Sequence, residues 1–173
     1  MKIRKTSIEE FEKVKSFYWD LIDRMQGRSD TVGWKKGIYP SDAFLRESIE
    51  NGELYVYDDG KGICAGVILN SRWNEGYDGL PWGLDCSQES VLVPHALAVR
   101  PDLQGRGIGE KLVQDIIGFA RNEGKKTIRL DILGGNMAAE RLYVKTGFQY
   151  VQTKRMFYED TGWTEFRMYE MIL

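Results

Sequence analysis

The sequence predicts one α/β domain, built on a mixed sheet with helices packed against it. Three observations carry that expectation. Apolar residues switch repeatedly between a period near two and a period near 3.6, so strand-like and helix-like segments alternate along the chain. A strand-like run at 90–99, a helical pattern at 108–122 and a second strand-like run at 127–133 form a βαβ unit, whose crossover is expected to be right-handed. Two further strand pairs are joined by short turns and should pair antiparallel. The chain of 173 residues is read as a single domain, 1–173, large enough to bury a real core. No repeat or low-complexity linker divides it.

The elements follow in order. Residues 2–6 read as a short strand. Ser7 is placed to cap a helix running to about residue 26; Glu10 completes a capping box, and Phe11, Val14, Phe17, Tyr18 and Leu21 form its apolar stripe. A loop with glycines and a tryptophan occupies 27–40. Ser41 opens a second helix that ends near Asn51-Gly52, and 53–57 and 63–70 form a hairpin across Asp58-Asp59-Gly60-Lys61. The stretch 71–88 is polar, aromatic and glycine-rich, and reads as a long loop. The βαβ unit comes next. Asn136 is a good N-cap for a short helix with Ala139, Leu142 and Tyr143 on one face, and Gly147 supplies a left-handed stop. Segments 148–157 and 163–171 close the chain as a hairpin.

The most informative segment lies inside the βαβ unit. A hydrophobic run ends at Arg100-Pro101, and then Gln104-Gly105-Arg106-Gly107-Ile108-Gly109 leads into the helix. Glycines at alternate positions let the backbone curl so that several N–H groups point at one spot. That spot is a helix N-terminus, where the macrodipole favours an anion. The design is that of a pyrophosphate cradle, although a plain glycine-rich turn would read the same way in isolation. A dinucleotide fingerprint needs Gly-x-Gly-x-x-Gly, and here the third glycine comes one residue early. A P-loop needs Gly-Lys followed by Ser or Thr, and here Gly109 is followed by Glu110 and Lys111. Both nucleotide readings fail.

The segment instead resembles the Gln/Arg-x-x-Gly-x-Gly signature of the GNAT superfamily of acetyl-CoA-dependent N-acetyltransferases, with Leu97-Ala98-Val99-Arg100-Pro101 as its usual lead-in. A second segment, Asn136 to Phe148, resembles the family's Asn-x-x-Ala-x-x-Leu-Tyr-x-Lys-x-Gly-Phe. Two matches in the right order make coincidence a poor account, and the resemblance covers most of residues 1–170.

The resemblance implies a central twisted, mostly antiparallel sheet whose parallel strands, 90–99 and 127–133, splay apart to admit the pantetheine arm. It assigns acetyl-CoA, as acyl donor, to Leu97, Ala98, Val99, Gln104, Gly105, Arg106, Gly107, Ile108, Gly109, Glu110, Asn136 and Tyr143, with no metal. Transfer would be direct, so neither cysteine is needed as a nucleophile. An acceptor amine is mostly protonated at neutral pH and needs a base, while the departing thiolate needs an acid. Tyr143 stands where relatives place the acid. His95 coincides with a histidine position of arylalkylamine-type relatives, and strict alternation would put it on the same face as Leu97 and Val99. Glu89 is the reserve base. Trp34, Tyr39, Trp73 and Tyr158 are expected to wall the acceptor pocket, with Tyr77, Trp82 and Trp163 as further loop aromatics. Between 71 and 89 a single cation, Arg72, faces Glu75, Asp78, Asp85 and Glu89, a balance suited to a cationic or aromatic amine.

Composition excludes several classes. A net charge of -2 with no basic run gives no case for nucleic acid. No apolar stretch approaches a membrane span, and Met1-Lys2-Ile3-Arg4-Lys5 leads into no signal-peptide core. Two cysteines without metal spacing and a single histidine make a zinc site a poor fit, and free thiols suit the cytoplasm. The expectation is therefore a cytoplasmic transferase acting on a small primary amine, with a homodimer allowed. Two alternatives stay open: the same acyltransferase chemistry on a protein amine, and a non-catalytic acyl-CoA sensor.

Overall fold

The computed structural model describes residues 3–28 and 32–173. Among the described residues, seven strands form one sheet in the order β1-β2-β3-β4-β5-β7-β6. They are β1 (Arg4–Lys5), β2 (Leu54–Asp58), β3 (Ile63–Asn70), β4 (Val91–Val99), β5 (Thr127–Leu133), β6 (Gln149–Tyr158) and β7 (Gly162–Ile172). Every neighbouring pair is antiparallel except β4 and β5. The helices are α1 (Phe11–Met25), α2 (Asp42–Glu50), α3 (Ile108–Asn122) and α4 (Met137–Lys145). The expected order is present throughout. Lys2, at the start of the expected first strand, and 29–31, in the expected loop, lie outside the described residues.

Local signals explain most boundaries. Ser41 Oγ accepts from the Phe44 N–H at 3.1 Å and starts α2. Asn136 Oδ1 does the same for Ala139 and starts α4. At the first helix the Ser7 N–H donates to Glu10 Oε2 at 3.2 Å, as the capping box requires. The turn that follows is a 3-10 turn, Ile8–Glu10, so the α-helix proper starts later than expected, at Phe11.

Helices cover both faces of the sheet. On one side Leu112, Val113, Ile116, Ile117 and Ala120 of α3 pack with Val67, Leu69, Leu92, Ile128, Leu130 and Ile132. On the other, the α1 stripe and Leu45 and Ile49 of α2 pack with Leu54, Val56, Ile68, Ala96 and Ala98. The aromatic loop between β3 and β4 makes a third cluster with Val91, Val93, Met156, Phe166 and Met168. A buried ion pair fastens that loop. Arg129 Nε donates to Glu170 Oε1 at 2.9 Å, the guanidinium lies over the Trp82 ring, and the Gly83 N–H donates to Glu170.

Two irregularities set up the rest. The parallel pair forms ladder pairs only where Val91 faces Thr127 and Leu92 faces Ile128, after which the strands separate. In addition, β4 carries a bulge: Ala98 faces Gly66 and His95 faces Ile68, so β4 has one residue more than β3. Ala96 takes the left-handed φ of 49° there, a conformation that costs an L-residue about 1–2 kcal/mol. Its carbonyl accepts from the buried Tyr18 hydroxyl at 2.9 Å. Gly66 makes room for that contact, because a Cβ there would lie 3.0 Å from the Tyr18 oxygen.

Tyr18→Phe should therefore strand a buried carbonyl at the bulge. The expected loss is about 1–3 kcal/mol of folding stability, read from urea unfolding. An unchanged unfolding midpoint would show that the bulge does not depend on this hydrogen bond.

Candidate functional site

Two cavities meet where β4 and β5 part. The first, about 420 Å³, is lined by Leu97, Ala98 and Val99 of β4, by Gln104, Gly105, Gly107, Gly109 and Glu110, and by Asn136, Ala138, Ala139, Arg141, Leu142 and Lys145 at α4. The second, about 280 Å³, is lined from β4 by His95, Ala96 and Leu97 and from β5 by Asp131 and Leu133. Tyr143, Trp34, Tyr39, Tyr158 and Asp160 complete its walls. Val32, Leu97, Asn136 and Ala139 belong to both, so the cleft and the chamber are continuous through the split in the sheet.

The cleft has the chemistry of an anion cradle. Gly105 and Gly107 have φ of 77° and 78°, values that L side chains avoid, and α3 begins immediately after them. Gln104 Nε2 donates to the Val99 carbonyl at 3.1 Å and ties this turn to the end of β4. Arg141 and Lys145 add positive charge from α4, the latter paired with Glu110 at 2.6 Å. The dimensions, the glycine turn and the cations fit a nucleotide-bearing thioester whose arm runs along β4 to the split. Nine of the expected donor residues line the cleft and Tyr143 lines the chamber, while Arg106 and Ile108 do not face it. Arg106 is exposed, and Ile108 turns inward against the α3 core.

The chamber is aromatic and acidic. Tyr143 is buried, its hydroxyl makes no hydrogen bond among the described residues, and its ring edges against Phe148. Burial, with the charge of Asp131 adding to it, raises the Tyr143 hydroxyl well above the ordinary tyrosine range, so it stays protonated. Asp131 accepts from the Tyr77 hydroxyl at 2.6 Å. Burial raises its carboxyl pKa, and the hydroxyls of Tyr77 and Tyr158 pull it back.

His95 lies at the chamber wall but not on the expected face. Alternation would have grouped it with Leu97 and Val99, which pack toward α3. The bulge at Ala96 breaks that parity, and His95 faces the α1–α2 layer, edge-on to Phe44. Its Nε2 lies 2.9 Å from Asn70 Oδ1, which also accepts from the Arg72 N–H. Nε2 is therefore the protonated nitrogen in that pair. Burial lowers the imidazole pKa to about 4.

Other expected residues sit elsewhere. Glu89 is exposed in the 3-10 turn Gln88–Ser90, before β4 and at the joined end of the strands. Trp73 is outside the chamber, stacked on Tyr77 and donating to Asp78. The acidic stretch 71–89 does not supply the chamber's carboxylates. Asn74 lines the cavity and Tyr77 reaches Asp131 from beneath, while Trp82 serves the Arg129 clamp. Trp34, Tyr39 and Tyr158 do line the chamber, the last from β6 rather than a loop; Trp163 is exposed on β7. Asp131, Asp160, Arg141 and Lys145 were missed. Asp131 had a signal: it is a lone carboxylate in the apolar run Thr127–Leu133. Cys64 and Cys86 are free thiols and line neither cavity. Among the described residues no cluster of His, Cys, Asp and Glu could hold a metal, and no helix is long and apolar enough to cross a membrane.

Comparison with known proteins agrees with this geometry. Residues 16–148 match the acetyltransferase (GNAT) family. The chain is 36% identical over 124 residues to the N-alpha-acetyltransferase RimI of Mycobacterium tuberculosis, covering 72% of this chain and 70% of that protein. It superposes on a GNAT-family acetyltransferase from Streptococcus agalactiae with a TM-score of 0.81 at 20% identity, covering 99% of this chain and 95% of the other. A chain described as an acetyltransferase of Salmonella typhimurium, solved with its cofactor acetyl-CoA, superposes with a TM-score of 0.72 at 17% identity over 99% and 93% of the two chains.

His95 is the only histidine in the chain, so its ring protons give a single titration curve by NMR. That curve should have its midpoint at about 4. Because the folded value lies below the unfolded 6.5, the neutral ring's contribution to stability is complete above about 6.5 and is lost as the pH falls to about 4. A midpoint near 6.5 would show that the ring is solvated.

Proposed function

The chain belongs to the acetyltransferase (GNAT) family, and from that premise we propose that it moves an acetyl group from acetyl-CoA directly to a small primary amine held in the aromatic chamber. The single observation behind this reading is the split between β4 and β5. It joins a glycine-lined anion cleft to an acidic, aromatic chamber whose wall includes Tyr143. Acetyl-CoA supplies the activated acyl group. The turn at 104–109 and the α3 N-terminus hold its phosphates with Arg141 and Lys145, while Leu97 to Val99 and Asn136 hold its arm.

The remaining work belongs to the side chains around the split. An amine enters as an ammonium and must lose a proton before it can attack. Asp131 is the better acceptor for that proton. It faces the chamber, its pKa is raised, and desolvation of the ammonium lowers the amine's own pKa toward it. His95, with Nε2 held by Asn70 and a pKa of about 4, serves as a polar wall. Tyr143, kept protonated by burial, donates to the departing sulfur. Base and acid thus approach the split from different elements, β5 and α4. The free thiols and the absence of any use for them fit transfer in a reducing cytoplasm.

The second reading is a protein N-terminal amine, favoured by the N-alpha-acetyltransferase name of the Mycobacterium tuberculosis relative. An α-amine has the lower pKa, about 7.7–8.0, and needs the base less. Against it stands the small size of the chamber, about 280 Å³, walled on one side by Val32, Trp34, Tyr39, Tyr158, Asp160 and Thr161. Thiol release from acetyl-CoA, measured with small amines and with peptides of free N-terminus, separates the two. Release driven only by peptides would overturn the small-amine reading.

Tyr143→Phe keeps the ring and removes the acid. Turnover should fall by about 10²–10⁴-fold, while calorimetry shows acetyl-CoA affinity close to the parent's. Asp131→Asn should lower kcat/KM most at neutral pH and least at high pH, where the amine is already free. Turnover of Tyr143→Phe within about twofold of the parent, far short of what a general acid contributes, would remove the hydroxyl from the mechanism.

A further inference from the structure

The chamber holds two carboxylates, and proton transfer uses only one. Asp160 lies in the turn between β6 and β7, 5% exposed, and lines the same cavity as Asp131. It makes no ion pair among the described residues; the backbone N–H groups of Asp160 and Thr161 and the charge of Lys35 are what favour its ionised form. Asp131 is bonded to tyrosine hydroxyls rather than to a cation. The same cavity is walled by the rings of Trp34 and Tyr39, edge to face at 5.7 Å, and by Tyr158 against Phe166 at 4.9 Å. Such walls suit methylene groups along their sides and cations over their faces. With about 280 Å³ available, the occupant is small.

We infer that the acceptor is a short-chain diamine: its reacting nitrogen sits at the split beside Asp131, its second ammonium is held by Asp160, and its methylenes run along Trp34, Tyr39 and Tyr158. This rests on the reading of the chamber as the acceptor site. A buried carboxylate without an ion-pair partner is costly, and pairing it with a cation inside the cavity offsets part of that cost. Burial raises the Asp160 pKa, and the charge of Asp160 adds to the rise at Asp131. The other titratable groups facing Asp160 are Lys35 and Tyr39 from 32–40 and Tyr158 and Glu159 from β6 and its turn. A dication favours the ionised form of both carboxylates, so its binding strengthens as the pH rises through their titration.

The test compares butylamine and hexylamine with their terminal diamines, using thiol release from acetyl-CoA. A diamine should exceed the monoamine of equal length in kcat/KM by about 10–100-fold, the worth of one charge-assisted contact. In Asp160→Asn that ratio should fall toward one, through KM for the diamine rather than through kcat. If the variant folds poorly, the parent supplies the second measurement: the KM of the diamine should rise with salt more steeply than that of the monoamine. Equal use of both amines, or a ratio untouched by Asp160→Asn, overturns the diamine. Activity on monoamines or peptides with none on diamines overturns it too, but leaves the acetyltransferase reading standing. An absence of thiol release with every amine, despite acetyl-CoA binding, sinks both.

Discussion

Two strands that begin as a parallel pair cannot separate inside a sheet unless something else accommodates the backbone they stop sharing, because buried N–H and C=O groups are expensive to leave unpaired. In this molecule the separation begins after Leu92 and Ile128, and both cavities lie along the gap it leaves. On its outer side β4 stays paired with β3, but only through the bulge at Ala96, where Tyr18 reaches across to hold the carbonyl. Gly66 is small because Tyr18 must pass. A helix stripe, a glycine and a strained alanine thus answer to one requirement: an open edge on β4 beside a closed core.

The split also decides which chemistry meets which. Residues of β5 alternate between the α3 side, where Ile128, Leu130 and Ile132 are core, and the opposite side, which carries Arg129 and Asp131. Arg129 is neutralised by Glu170 at the joined end of the strands. Asp131, two residues further along, lies where the strands have parted, and it faces a cavity instead of a cation. The helix that carries Tyr143 to the chamber wall, α4, is clamped to β7: Glu140 accepts from Arg167 and from the Tyr169 hydroxyl, the latter at 2.6 Å.

Much of this was legible in the chain. Caps and glycines marked α2, α3 and α4, and the glycine turn together with the Asn136 segment pointed to the cleft before any coordinate did. What was not legible has a common physical origin. The side of the sheet on which His95 falls depends on a bulge set by Tyr18, about eighty residues away in sequence, and a period-two reading cannot see an inserted residue. The chamber's carboxylates were sought in the acidic stretch 71–89, where charge is dense, whereas buried charge that matters is sparse. Asp131 and Asp160 are isolated residues brought together by the sheet and the final hairpin. Trp73 shows the converse: a loop aromatic that only anchors its own loop.

The fasteners between the two halves of the sheet are concentrated at one end. Lys125 Nζ donates to Ser71 Oγ and to the Glu89 carbonyl, the Lys126 N–H donates to the Ser90 carbonyl, and Arg129 donates to the Leu84 carbonyl. Mechanically this is a pair of tongs gripped at the pivot. From Leu92 to Val99 the arm, which moves together with its partner β3, measures about 23 Å, at ~3.3 Å per residue, so a rotation of one degree at the pivot displaces its tip by about 0.4 Å. That is comparable to the tolerance within which catalytic groups must be held. The loop between β3 and β4, remote from the glycine cradle, therefore acts as the calibration of the aperture, and its wear is felt at the jaws.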